Sequence, residues 1–528
     1  MGTDVHENLT RRLAEIDHAT PGLLSGSIRR GLEKESLRID NDGVLAQTPH
    51  PHTLGAALTH PHITTDYSEA LLEFVTPVTK NIPDLIQFLT DLHGFTYRNI
   101  GEEKLWVNSM PCILHGEKSI PIADYGQSNA GRMKVVYREG LGHRYGKLMQ
   151  TIAGIHFNFS LDDTFWQCYR HIKGSTVPLR DFKSEEYLGL MRNFYRSDWA
   201  IPYLFGASPA VCGTFLEGRD HHLQPLGDHS YCLPFATSLR LTDLGYRSVA
   251  QDSVHLSLNS LDEYTESLIK ATTESYPPYQ KIGIRVNGEY RQLNDSLLQI
   301  ENEYYASMRP KRIAKSGERP SHALQSRGVE YIELRSLDLD PFLPVGISED
   351  GIRFLDLMMI SCLLEASPLM DLEEFNRLRQ TRNQVAERGR DPELRITLAD
   401  GSQCSIDRCG LGLVERLAPI AQLMDQYDSG YCNALGYYKN LFEDPSATPS
   451  ARAFEEIKKH DNTFFYFAKT QAEHHEKNFK IVEIDPTWNQ SLKESADESI
   501  RQAQEIEASD TVGFEEFLDN YFERKSTN

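Results

Sequence analysis

The stretch RRGLEKESLRID, residues 29–40, sets two carboxylates, Glu33 and Glu35, two positions apart in a strand-like run. Successive side chains on a strand point to opposite faces, so these two lie side by side. Like charges that close repel, and a fold holds them there only with water or a cation between them. The pattern recurs along the chain. In IHFNFS, His156, Asn158 and Ser160 alternate with Ile155, Phe157 and Phe159; in VEYIELRSLD, Glu333 and Arg335 alternate with Ile332 and Leu334. In QIENEYY, Gln299, Glu301, Glu303 and Tyr305 take one face of an expected strand, and in DYSEALLEF an extended run puts Glu69 and Glu73 beside Leu71. An antiparallel sheet with one wet face accounts for each strand alone. Together, carboxylates with one His and one Asn make an oxygen and nitrogen donor set for hard divalent cations, Mg²⁺ or Mn²⁺.

Metals in an acidic trough usually hold phosphates, and the remaining phosphate charge needs cationic side chains. RPKR supplies Arg309, Lys311 and Arg312 directly after an acidic segment, and a solvated basic turn explains it equally well. Arg335, on the face of Glu333, suits a transferring phosphoryl group. No conventional nucleotide loop is present: GSIRRGLEKES has Leu32 where a phosphate loop needs Lys, and GLGL at 410–413 lacks a third Gly. A nucleotide would therefore bind through metals on a sheet.

YGQSNAGRMKVVYREGLGHRYG, 125–146, joins a small-residue loop to a helix on which Tyr137 and Leu141, four apart, share a face. They can line a small pocket with Arg138 at its rim for a carboxylate, or pack as ordinary core beside a surface arginine. His60 and His62 flank Pro61 in THPHI and read as loop residues rather than a metal pair.

The charge balance, 55 basic against 76 acidic residues for a net −21, excludes nucleic acid or an anionic membrane as the main partner. MGTDVHENLT has no basic segment followed by an apolar one, and FLDLMMISCLLEA (354–366) is too short to span a bilayer, so a cytoplasmic protein is expected. The 8 cysteines show no metal spacing, and free thiols are expected, Cys404 and Cys409 included. Periodicity predicts helices over 4–18, 83–100, 132–153 and 187–199, and a hairpin at Asn287-Gly288. Ser348 predicts the start of a helix running to about 366. After about 370 strand signals give way to charged helices, with EDPSATPSAR (443–452) linker-like. The expected organisation is an α+β body over 1–370 and a mostly helical remainder over 371–528.

The segments RGLEKESLR, LTHPHITTDYSEALLEFVTP, YGQSNAGRMKVVYREGL, QTIAGIHFNFS, IPYLFGASPA, SLRLTDLGY, QIENEYYASMRPKR and VEYIELRSLD, in this order, resemble the bacterial glutamate–cysteine ligases of proteobacterial type. The likeness covers about 20–370. It implies a curved antiparallel sheet like the catalytic domain of glutamine synthetase. It also implies ATP-driven joining of the γ-carboxylate of glutamate to the amine of cysteine through a γ-glutamyl phosphate, the first step of glutathione synthesis. By resemblance, Glu33, Glu35, Asp66, Glu73, His156 and Glu333 hold two or three Mg²⁺ ions, and Arg335 meets the transferred phosphoryl group. Tyr67, Tyr137, Arg138, Leu141, Gln150, Tyr246 and Tyr305 fall in the cysteine pocket, and Arg240 and Asn158 near glutamate. Glutathione is the implied feedback inhibitor, and a monomer is expected. Lys34 and Ser36 stand where the family has Arg and Thr, Tyr304 where it has Leu, and Tyr67 where some relatives carry Phe. Two alternatives share the acidic trough: a carboxylate–amine ligase with another acceptor, and a non-catalytic metal or amino-acid sensor.

Overall fold

The computed structural model describes residues 2–245, 250–251, 254–315 and 317–523. Its principal sheet has seven strands: β1 (Ile28–Ile39), β2 (Ile63–Thr65), β3 (Leu71–Val75), β4 (Lys104–Leu105), β5 (Ile155–Leu161), β6 (Met308–Lys311) and β7 (Tyr331–Leu337). The order is β6-β7-β5-β1-β3-β2, with β4 on the far end of β1, and every pairing is antiparallel. The period-2 alternation explains the two faces. One carries Leu32, Phe74, Phe157, Ile332 and Leu334, all fully buried in the main core. Helices Ile82–Tyr97, Leu179–Ser197 and Ala200–Phe205 pack against the sheet.

Local chemistry sets the helix ends. Asn81, Ser128 and Ser348 each accept a backbone N–H at a helix start, as the Ser348 reading predicts. The helix expected over 132–153 runs Asn129–Tyr145 instead; Gly146, at φ 84, turns the chain and donates its N–H to Gly142 O. The Asn287-Gly288 hairpin forms, both residues taking positive φ (53 and 90). The helix Glu349–Leu364 is tied to β1 by a buried ion pair, Arg30 Nη2 to Asp356 Oδ2 at 2.6 Å, with the Tyr431 hydroxyl bonded to both.

Four expectations fail locally. QIENEYY is not a strand but a 3₁₀ turn, Glu301–Glu303. Glu301 accepts from Ser321 N (2.6 Å), the Ser321 hydroxyl and Arg319, and so holds the start of helix Pro320–Arg327. Strands do not vanish after 370: Arg395–Thr397 pairs with Gln403–Ser405 around an Asp400-Gly401 turn. The stretch 443–452 is a 3₁₀ turn leading into helix Pro449–Lys459, with Thr448 buried. Cys404 and Cys409 are disulfide-bonded, contrary to the free-thiol expectation, because the step from strand Gln403–Ser405 into helix Ile406–Met424 leaves their Cα atoms 6.1 Å apart.

Candidate active site

The other face of the sheet is polar and continuous. Arg309 on β6 faces Glu333 on β7, which faces Asn158 on β5, which faces Gly31 on β1. One step along β1, Glu33 faces His156, and Glu35 faces Glu73 across β1 and β3. Three separate strands, β1, β3 and β7, thus deliver acids to one surface, and β5 sets His156 and Asn158 among them.

The geometry is tight. His156 Nδ1 lies 2.9 Å from Glu33 Oε2 and its Nε2 lies 3.7 Å from Glu35 Oε1. Asn158 Nδ2 donates to Glu33 Oε1 at 2.9 Å, and Gly154 N donates to Glu35 Oε2 at 2.7 Å. Ligand atoms of Glu33, Glu73 and His156 all lie within 4.8 Å of one another. Glu333 sits between cations, with Lys311 Nζ at 3.3 Å and Arg335 Nη1 at 3.2 Å.

The charges divide accordingly. Burial and the neighbouring Glu33, Asp66 and Glu35 charges raise the Glu73 carboxyl well above its usual range, and burial raises Glu35 against the pull of His156. Burial works against Glu333 too, but Lys311 and Arg335 outweigh it and hold that carboxyl far below its usual range. Burial likewise opposes Glu33, whose bond from His156 and the Lys311 charge prevail over the Glu333 repulsion. Arg335, desolvated yet facing Glu333, Glu35 and Glu33, is held in its charged form. The Glu35–Glu73 end is short of positive charge, and the Glu333 end carries it. A divalent cation fits between Glu33, Glu73 and His156: three donors converge there, one carboxyl is forced toward protonation, and Asn158, bonded to Glu33, has an Oδ1 with no hydrogen-bond partner among the described residues.

Beside the acids opens a cavity of about 130 Å³. Glu35, Asp66, His156, Arg240, Arg309 and Arg335 form its polar side, and Tyr67, Tyr137, Arg138, Leu141, Gln150 and Tyr305 its opposite wall. Asp66 and Tyr67 come from the turn between β2 and β3, where Leu71 N closes on Ser68 O. Arg138 Nε donates to Asp66 O at 2.5 Å, pinning this turn to the helix Asn129–Tyr145. Arg240 donates to Arg335 O (2.8 Å) and Leu337 O (3.2 Å), lying over Gly154, where any Cβ would collide with its guanidinium.

Some expected residues sit elsewhere. Glu69 accepts from His50 N and Asp124 N and braces loops. Arg312 turns away, its Nε 3.6 Å from Glu330. Arg309 lines the cavity with its guanidinium bonded to the carbonyls of Asn302 and Tyr304. Tyr246 lies outside the described residues. The cavity also takes in Tyr145, Met149, Gln251, Asn302 and Glu303. Of these, Glu303 stood out in the QIENEYY alternation, and Tyr145 had a signal too, since 137, 141 and 145 recur every four residues on one helix face. Glu303 is used structurally, accepting from Tyr145 Oη at 2.6 Å and pairing with Arg144 at 3.1 Å.

A family model described as glutamate-cysteine ligase matches residues 14–385. The chain belongs to the glutamate–cysteine ligase family. Curated members agree along the whole length: the glutamate–cysteine ligase of Alcanivorax borkumensis is 48% identical over 98% of this chain and 99% of its own. That of Pseudomonas putida is 44% identical over 98% of each. Among solved structures, the family member from Francisella tularensis, in complex with AMP, superposes with a TM-score of 0.89 at 37% identity, covering 94% of this chain and 97% of its own. A bifunctional glutathione synthetase from Pasteurella multocida matches at TM-score 0.69 and 26% identity, over 88% of this chain and 54% of that one.

Proposed function

We infer that this protein joins the γ-carboxylate of L-glutamate to the amine of L-cysteine, driven by ATP, the first step of glutathione synthesis. The observation that carries this reading is family membership over nearly the full chain, with the acidic sheet face and its adjoining cavity supplying parts that the reaction needs.

A carboxylate is a poor acyl donor, and phosphorylation to a γ-glutamyl phosphate gives it a good leaving group. Glu33, Glu35, Asp66, Glu73, His156 and Glu333 would hold two or three Mg²⁺ ions, with Mn²⁺ a substitute. Bound there, the ions would offset charge on the terminal phosphates of ATP. Arg335, locked by Glu333 and 3.5 Å from His156 Nδ1, is aimed to stabilise charge on the moving phosphoryl oxygens. Lys311 and Arg309, both on β6, add further cations beside it. Arg240 and Asn158 face glutamate, and the amine attacks from a cysteine seated against Tyr67, Tyr137, Leu141, Gln150 and Tyr305, with Arg138 at the rim. Holding the two reactants in line supplies about 7–11 kcal/mol of the barrier.

The sheet is proposed to curve around this face in the manner of glutamine synthetase. The catalytic unit is proposed to span 1–370, with the helical part, 371–528, packed on it; the two share one apolar core, to which Leu32 and Phe157 contribute from one side and Leu417 and Phe467 from the other. Among the described residues no helix is long and apolar enough to cross a membrane. We place the protein in the cytoplasm as a monomer under feedback by glutathione.

The test is ADP release with glutamate and cysteine added singly and together. Sustained release only with both, with γ-glutamylcysteine found by mass spectrometry, supports the reading. Faster release with another amine, or binding of ATP without ADP formation, overturns it.

A further inference from the structure

The helix Asn129–Tyr145 has two working faces. One presents Tyr137, Arg138 and Leu141 to the cavity. The other lies against the last described helix, Phe514–Glu523. There Phe514 and Leu518, each 6% exposed, join Leu293 in a small apolar cluster separate from the main core, and Met133, Val136 and Tyr137 pack onto it. The Arg132 guanidinium stands 4.3 Å from the Phe514 ring centre, and Tyr290 of the hairpin meets that ring edge-on at 5.3 Å. The chain just ahead ties down the first helical turn: Asn129 N donates to Asp510 Oδ2 at 2.6 Å and the Asn129 amide to Val512 O at 2.9 Å. Tyr137 is therefore a wall shared by the cavity and this cluster.

We infer that the C-terminal helix positions the acceptor pocket: Phe514 and Leu518, which line no part of the cavity, set where the Tyr137–Leu141 face stands relative to the sheet, and so tune affinity for cysteine. The inference rests on assigning the cavity to cysteine. The physical reason is an asymmetry of support. The acids are fixed by strand pairing within the main core, whereas the outer side of the pocket helix rests on a cluster that only the C-terminal helix completes. In a cavity this small, a slight retreat of Tyr137 and Leu141 removes contacts to the acceptor while leaving the phosphate-handling groups in place.

The experiment is steady-state kinetics of the full-length Leu518→Ala and Phe514→Ala proteins, varying each substrate in turn. The expected result is a rise of roughly tenfold in KM for cysteine, with kcat at saturating cysteine and KM for glutamate and ATP within about twofold, and recovery in Leu518→Met. Leu141→Ala, which alters the cavity wall itself, is measured alongside. If Leu141→Ala raises KM for cysteine and neither Leu518→Ala nor Phe514→Ala does, the inference is overturned and the cavity assignment stands. If none of the three moves it, both fall. A loss of kcat with unchanged KM also overturns the inference. Where Phe514→Ala does not fold, the milder Leu518→Ala decides.

Discussion

Glu73 gives the sharpest opposition between stability and function. Its carboxylate lies within 4.8 Å of a Glu33 oxygen, on a surface where Glu35 and Asp66 add like charge. At an effective dielectric constant of about 20, two unit charges at that separation repel by about 3.5 kcal/mol. The carboxyl relieves part of this by holding its proton well above the usual range, so a neutral isostere recovers only the remainder. Glu73→Gln should therefore stabilise the metal-free protein by about 1–2 kcal/mol near pH 8, read as a midpoint shift in denaturant unfolding. The sign follows from linkage: a carboxyl with a raised folded pKa gives stability that is present below its unfolded value and lost as pH rises through the folded one. The substitution should thus help more at pH 8 than at pH 6. Mg²⁺ should reverse the ranking. At a concentration 100 times its Kd it stabilises the wild type by about 2.7 kcal/mol, and it has little grip on a site missing one ligand. Turnover of the variant should fall by at least about 100-fold. The reasoning is refuted if metal-free Glu73→Gln is less stable than the wild type, or if Mg²⁺ stabilises both equally.

Arg335→Met should lower kcat by about 10³-fold or more with a small change in the KM for cysteine, because the guanidinium faces the acids rather than the apolar wall of the cavity; equal loss in both parameters would contradict that placement. Gly154→Ala should destabilise the protein by about 1–3 kcal/mol and depress kcat, since the new methyl meets Arg240, which its bonds to Arg335 O and Leu337 O hold in place; calorimetry and kinetics check both. His50 and His60 are pushed down to about 4, chiefly by burial, and His60 Nδ1 accepts from His62 N (3.0 Å) and Ile63 N (2.8 Å), which requires that nitrogen unprotonated. The unfolded chain takes up those protons first, so stability is full above about pH 6.5 and is lost toward pH 4, by about 3 kcal/mol per histidine. His60→Asn should remove about half of that acid slope in denaturant titrations; an unchanged slope would refute it.

The sheet was readable because alternation is a local signal. Glu33, Glu35, His156, Asn158, Glu333 and Arg335 declare their common face within their own strands, and register then aligns the strands. Glu301 and Glu303 mimic that alternation inside a 3₁₀ turn, where partners far along the chain, Ser321 and Arg144, decide their orientation. The Asp400-Gly401 hairpin carried its own turn signal and was hidden by strands of only three residues. Arg312 shows the converse: one residue beyond Lys311, the next position points to the opposite side. The cavity is the least legible part. Tyr137, Met149, Arg240 and Glu303 come from separate segments of the chain, and no period in the sequence announces their meeting. The C-terminal helix behind Tyr137 is further still from any local signal.

Electron paramagnetic resonance of Mn²⁺ bound to the nucleotide-free protein addresses the acidic face most directly. The wild type should show saturable binding that Mg²⁺ displaces, Glu33→Gln and Glu73→Gln should each lose it, and a surface variant such as Glu373→Gln should retain it. Retention of the signal in both site variants would mean that these strands do not converge on an ion.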